Sequence, residues 1–346
     1  MSDRAKKIAA IGGGVLVLGA GAFLLLGNRD IAGSIPGIGN ALAPPICPLT
    51  GAEPRNDALA ERPAVAVKVE NAEIAYPLSG LEDAELVYEE LVEGGATRFM
   101  AVYHCNDSDK VGPVRSARAV DPSIMVPVTR ILGFSGANAP VRDALDRAEV
   151  VQVEESNAGA AMQRVPREGL SVEHTLYAST APLRKLGAKK FDEAPPEMFE
   201  FGDLQEPSKK ASTVTINFSA ARTIRYDWSG DTWQRFEADQ PFMTEAGEQI
   251  AVENVLVEQH TINLSTILDP AGNPSTEIAD ETGSGKAVLF RDGRAIVGTW
   301  TREDVEGPVE FTTKDGDAFV FSEGSIWVEL VPSKKGEVKG SFSYAK

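Results

Sequence analysis

The chain has 346 residues, of which 42% are hydrophobic and 25% charged, with a formal net charge of −17. That apolar content is enough for a sizeable core and argues against global disorder, and the length accommodates about two domains of roughly 100–200 residues. Residues 1–30 carry +2, so the remainder is more acidic still, a surface that repels nucleic acid at long range.

Residues 8–26 contain no charged side chain. As a helix rising ~1.5 Å per residue they span ~28 Å, close to the hydrocarbon core of a bilayer. Arg4, Lys6 and Lys7 precede the run, whereas Arg29 after it is balanced by Asp30. The positive-inside bias then keeps residues 1–30 as a cytoplasmic stub and transmembrane anchor in the cell membrane and exports the rest of the chain. A cleaved signal peptide is the rival reading, with Ala41-Leu42-Ala43 as its small-residue site and Pro44 unfavourably placed after it. Residues 31–46 are rich in Gly and Pro and read as a tether.

An α/β first domain is expected over 47–203, and a mostly antiparallel β domain over 212–332. They are joined by a polar linker at 204–211 and followed by a flexible tail at 333–346. Ala64–Val69 reads as a buried strand, and Asn138 as the N-cap of a helix reaching Ala148. Leu86–Val92 and Arg98–Tyr103 flank Gly94-Gly95 as a hairpin. A two-residue turn there pairs Leu91 with Arg98 and Glu89 with Met100, which sets Glu89 diagonally beside Arg98 on one face. In the second domain, short β-branched and aromatic runs alternate with turn residues, and Asp292-Gly293 marks another hairpin.

Cys47 and Cys105 are the only cysteines. In an exported chain they form one disulfide or remain two buried thiols. His104, His174 and His260 are scattered without metal-site spacing, so no metal is expected and no cofactor is indicated. Thr282–Lys286 resembles a phosphate loop but lacks its first glycine and final Ser/Thr. Arg115 and Arg118 flank Ser116 in a loop, and guanidinium groups grip carboxylate or phosphate through paired donors. Arg98, Arg115 and Arg118 are therefore expected to converge on one cleft, with His174 at its edge. Solvated or structurally paired arginines are the plainer alternative.

The run RPAVAVKVENAEIAYPLSGLEDAELVYEELVEGGATRFMAVY, followed by GPVRSAR and later EHTLY, resembles the YerB-type bacterial family of envelope proteins. These are mostly lipoproteins with a two-part domain of unknown function. YDWSGDTWQRF, ENVLVEQ and GSGKAVLFRDG resemble its C-terminal β part. The resemblance implies Glu89, Glu93, Thr97, Arg98, Arg115, Ser116, Arg118 and His174 as characteristic polar positions. It supplies no activity. Three functions stay open: a binder of an anionic ligand or cell-wall component, a wall-polymer transferase acting on a lipid pyrophosphate, or a module that docks another envelope protein.

Overall fold

The computed structural model describes residues 44–346, apart from Gln205 and Pro270. The expected anchor at 8–26 and nearly all of the tether lie outside them. Among the described residues no helix is long and apolar enough to cross a membrane.

The first strands form where apolar and β-branched residues run almost unbroken. β1 (Val65–Glu70), β2 (Leu86–Leu91) and β3 (Thr97–Tyr103) are buried almost throughout, so the sheet they build must be covered on both faces. After α1 (Asp121–Met125), β4 (Ile131–Gly133) joins β1 in parallel. α2 (Ala139–Arg147) starts as expected: the Asn138 side chain accepts from the Val141 N–H at 3.1 Å, and Pro140 occupies the first turn. β5 (Val151–Val153) extends the sheet in parallel. α3 (Glu155–Ala158), β6 (Met162–Arg164), β7 (Leu176–Ala178) and α4 (Thr180–Gly187) follow. Strands and short helices alternate in this segment, and strands predominate over the described residues as a whole.

β8 (Glu200–Phe201) and β9 (Lys209–Lys210) punctuate the connection. β10 (Thr213–Ser219), β11 (Arg222–Trp228), β12 (Trp233–Glu237), β13 (Gln240–Pro241) and β14 (Ala251–Val252) make a second, antiparallel sheet. Burial alternates along β10 because only one of its faces is covered. β15 (Asn254–His260) returns to the first sheet, and β16 (Ile262–Leu268) with β17 (Pro274–Ile278) is a separate hairpin. β18 (Gly283–Arg291) and β19 (Arg294–Arg302) turn at Asp292-Gly293, both with positive φ. β20 (Glu310–Thr313), β21 (Val320–Phe321), β22 (Ile326–Pro332) and β23 (Ser341–Ala345) complete the chain.

Both segments share one sheet, in the order β20-β19-β18-β15-β22-β2-β3-β1-β4-β5. β22 lies between β2 and β15 and is parallel to each, and Pro45–Lys346 forms one compact unit. On one face Val67, Phe99, Trp327 and Val257 pack with Ile216, Tyr226 and Trp233 of the second sheet. On the other, Met100, Val328 and Leu256 pack with Ile124 and Leu145 of the helices. The Cys47–Cys105 disulfide, separated by 58 residues, fastens the start of this unit to the end of β3.

The tail departs from expectation. Residues 341–345 pair with β10 from Thr213↔Ala345 to Asn217↔Ser341. Its Lys, Gly and Ser content suggested fraying, but Phe342 and Tyr344 alternate onto the core and hold it.

Candidate functional site

The β2–β3 connection sets the site, and its register differs from the expected one. The loop runs from Val92 to Ala96, closed by the Val92 N–H donating to the Ala96 carbonyl at 2.8 Å, so Gly94-Gly95 is not a two-residue turn. Leu91 pairs with Thr97, Glu90 with Arg98 and Glu89 with Phe99. A slip of one residue moves a side chain to the other face. Glu89 and Arg98 are therefore on opposite faces, and the expected diagonal pair does not form. Arg98 instead faces Glu90 across β2 and Glu70 across β1.

Six of the eight expected residues gather at one end of the sheet, around the loop from Gly112 to Val120. The Arg115 N–H donates to the Lys68 carbonyl at 2.8 Å, and the Ser135 N–H to the Arg115 carbonyl at 2.9 Å, so the loop is laced to β1 and to the Ser135-Gly136 turn. Ser116 Oγ donates to the Ser135 carbonyl at 2.9 Å. Arg98 and Arg118 both donate to the Ser116 carbonyl, at 3.1 and 3.3 Å. Arg118 also meets the Glu93 carboxylate through Nε and Nη2, each at 2.6 Å. Arg115 lies 3.5 Å from Glu70, whose other oxygen is 2.7 Å from His174 Nδ1. Beneath them the buried Lys68 Nζ bonds Glu90 and, at 2.7 Å, Asp121.

The charges do not balance locally around every arginine. Burial would raise the Glu93 carboxyl, but the bonds and charge of Arg118 hold it below the usual range. Burial pushes Glu90 up to about 7 against the opposing pull of Lys68. Arg98 has no carboxylate within ion-pair distance among the described residues, although two sit opposite it in the register. Burial, then the positive charge of Arg118, pulls its guanidinium down to about 10. A cavity of about 290 Å³ opens beside it, walled by Glu93, Ser116, Arg118, Gly136 and Asn138 with Asp269 and Ser275 from the β16–β17 hairpin. Of the expected residues, Arg98, Arg115 and His174 are not among those that line it.

Glu89 and Thr97 belong to a second cluster on the opposite face. Thr97 Oγ1 and Asn71 Nδ2 donate to Glu89 Oε1 at 2.5 and 3.1 Å. Arg235, fully buried, meets Glu89 at 2.7 Å, Glu329 at 3.3 Å and Glu237 at 2.7 Å, and donates to Tyr226 OH at 2.7 Å. Burial would raise Glu89, but Arg235 and Arg222 overcome it and lower its pKa. Glu329 moves well above the usual range through burial and the neighbouring Glu89 charge. Sequence reasoning missed Arg235 and Glu329. The signal was available: each occupies a core-phase position, Arg235 in step with Trp233 in WQRFE and Glu329 within the otherwise apolar IWVELVP.

A third group, His260 between Glu258 at 3.1 Å and Asp280 at 3.3 Å, stacks on Trp300. Burial would lower this imidazole, but the bonds to Asp280 and Glu258 prevail and raise it. Cys47, Cys105 and Glu85 come together as a metal site would require, but the sulfurs are bonded to each other and cannot serve as thiolate ligands.

The fold and these clusters define a two-segment, strand-rich protein whose halves share a sheet and bury charged residues on both of its faces. Residues 49–194 match the N-terminal-domain model of a protein family of unknown function, DUF3048, and residues 214–328 match the C-terminal-domain model of the same family. The chain belongs to the DUF3048 family. It is 28% identical over 304 residues to "Putative lipoprotein YerB" of Bacillus subtilis (strain 168), covering 82% of this chain and 86% of that protein. The crystal structure of YerB from Bacillus subtilis aligns with a TM-score of 0.71 at 24% identity, over 86% of this chain and 99% of that one, a likeness of fold.

Proposed function

We propose that this is an extracytoplasmic envelope protein, anchored by a single span at residues 8–26, that binds an anionic ligand at Arg98. The observation that supports this is the partly buried Arg98 guanidinium, which has a carbonyl for a partner and no carboxylate among the described residues. A half-buried cation with no carboxylate in ion-pair reach is costly, and an arriving anion offsets that cost. Arg118, on the same carbonyl, borders the adjoining cavity, so an anion entering it meets one guanidinium group and has Arg98 one carbonyl away. Arg115 and Arg118 already hold Glu70 and Glu93 and play a largely structural part. The relative's description as a lipoprotein accords with a place in the envelope.

The test is calorimetric titration of the full chain with inorganic pyrophosphate, beside an Arg98→Gln variant. Saturable binding by the wild type, weakened about tenfold or more in the variant, is expected for loss of one charge-assisted contact. Equal affinity in both would refute the site. For the topology, protease applied to intact cells should remove the folded part; protection until lysis would refute the export.

A further inference from the structure

We infer a second ligand site, independent of Arg98, in the cavity between α1 and the sheet at Tyr88, Glu258 and Arg302, which takes a small zwitterion carrying an ammonium and a carboxylate on a short carbon body. The register builds it from both segments. Tyr88 of β2 pairs with Val328 and Glu258 of β15 pairs with Leu330. Side chains two apart on a strand share a face, so Tyr88, Leu330 and Glu258 lie on the face that α1 covers. Ile124 of α1 and Trp300 of β19 line the same space. It encloses about 40 Å³. One water needs roughly 10–15 Å³, so the room is that of about three waters or a small amino acid.

The charges around it are unevenly matched. His260 is already used, its ring nitrogens meeting Glu258 Oε2 at 3.1 Å and Asp280 at 3.3 Å. Arg302 is buried and donates only to backbone carbonyls: Ser123 at 2.7 Å, Asp304 at 3.1 Å, Gly307 at 3.2 Å, and Val305. No carboxylate lies within ion-pair distance of it among the described residues. Glu281, half-buried on the wall, makes no hydrogen bond or ion pair among the described residues. One cation and one anion are thus left over. A ligand of a single charge answers one of them and opposes the other, whereas a zwitterion answers both.

The remaining polar atoms suit the same ligand. Tyr88 lines the cavity and is 8% exposed, and its hydroxyl has no partner among the described residues; nor has Glu258 Oε1. Buried polar groups in folded proteins almost always find a partner. Burial raises the Tyr88 hydroxyl well above its usual range, with the Glu258 charge adding to the rise and the Arg302 charge opposing it. The hydroxyl therefore stays protonated and feels both charges. An ammonium brings three N–H donors, for Glu258 Oε1, Glu281 and the Tyr88 oxygen. Each terminal nitrogen of Arg302 makes one bond and carries a second hydrogen, and the ligand carboxylate takes these.

Calorimetry on the full chain with alanine, ethylammonium and propionate separates the classes, because ethylammonium lacks only the carboxylate of alanine and propionate only its ammonium. At least one enantiomer of alanine should bind saturably, about tenfold or more tighter than either single-charge probe. Tyr88→Phe removes a hydroxyl bonded to nothing in the protein, so it should leave Tm unchanged and weaken alanine by about tenfold. Glu281→Gln, at a partly exposed position without a partner, should weaken it similarly. Arg98→Gln should leave alanine binding as it is, so this site and the pyrophosphate site are read separately. Absence of saturable alanine binding, a single-charge probe bound as tightly as alanine, unchanged affinity in a folded variant of Tyr88 or Glu281, or loss of binding in Arg98→Gln would each overturn the site.

Discussion

Replacing Arg235 by Met tests whether the charged network between the two segments holds the fold together. Arg235 is fully buried, contacts Glu89, Glu237, Glu329 and Tyr226, and lies 5.0–5.5 Å from the ring centroids of Phe99, Tyr226, Phe242 and Trp327. Methionine retains much of the packing but none of the charge. Glu89 Oε2 then loses its ion-pair partner, while Oε1 keeps Thr97 and Asn71. Glu89 then keeps only the longer, 3.7 Å approach of Arg222 as a counter-charge, and breaking the buried pair in this way should cost about 3–5 kcal/mol. Removing the partners too (Glu89→Gln, Arg235→Met, Glu329→Gln) should recover most of that loss, because a neutral core of similar volume is about as stable as a buried ion network. Urea unfolding at pH 7, followed by tryptophan fluorescence, gives both values if the denaturant slope is unchanged. The reasoning is refuted if the single variant loses less than about 1 kcal/mol, or if the triple variant is less stable than the single.

Two further outcomes are expected in the first segment. Removing the disulfide with Cys47→Ser and Cys105→Ser frees a loop closed by a 58-residue separation, and should lower stability by about 4 kcal/mol on chain-entropy grounds, measured by urea unfolding against the oxidised wild type. Glu85, which accepts the His104 and Cys105 N–H groups, is pushed up to about 7 by burial against those bonds. Its folded pKa exceeds its unfolded one, so its contribution is complete below the ordinary carboxylate pKa and is lost as pH rises towards 7. Glu85→Gln should therefore gain up to about 3 kcal/mol relative to wild type between pH 5 and pH 8, and a difference independent of pH would refute this.

Much of the strand plan was legible because local chemistry decided it. The Asn138 cap and Pro140 in the first turn start the helix through local contacts, and Asp292-Gly293 supplies the positive φ angles that a tight hairpin needs. Register was not legible, because it depended on whether Glu93 joined the turn, and no propensity distinguishes a two-residue loop from a five-residue one around Gly94-Gly95. That single residue split the expected site, sending Glu89 and Thr97 to one face and leaving Arg98 on the other. Arg115, Ser116 and Arg118 were brought near Arg98 because their loop follows β3 within a few residues and is laced back to β1, whereas His174 reaches Glu70 across 104 residues. Arg235 and Glu329 needed partners about 150 and 240 residues away, beyond the reach of any sequence window.

β22 has a consequence for how the chain reaches this state. Leu86 pairs with Ile326 and Glu89 with Glu329, so the middle of the sheet is completed by nearly the last strand to be synthesised. Non-local parallel pairing of this separation is slow, because loop-closure entropy is lost before contacts compensate it. Until residues 326–332 arrive, β2 presents an open hydrogen-bonding edge beside an apolar face, a surface that invites pairing with other chains. A chain emerging N-terminus first must keep that edge apart from its neighbours for the whole time the second segment takes to appear. The shared sheet that makes the two segments one body therefore also makes the first segment an unfinished one when it stands alone.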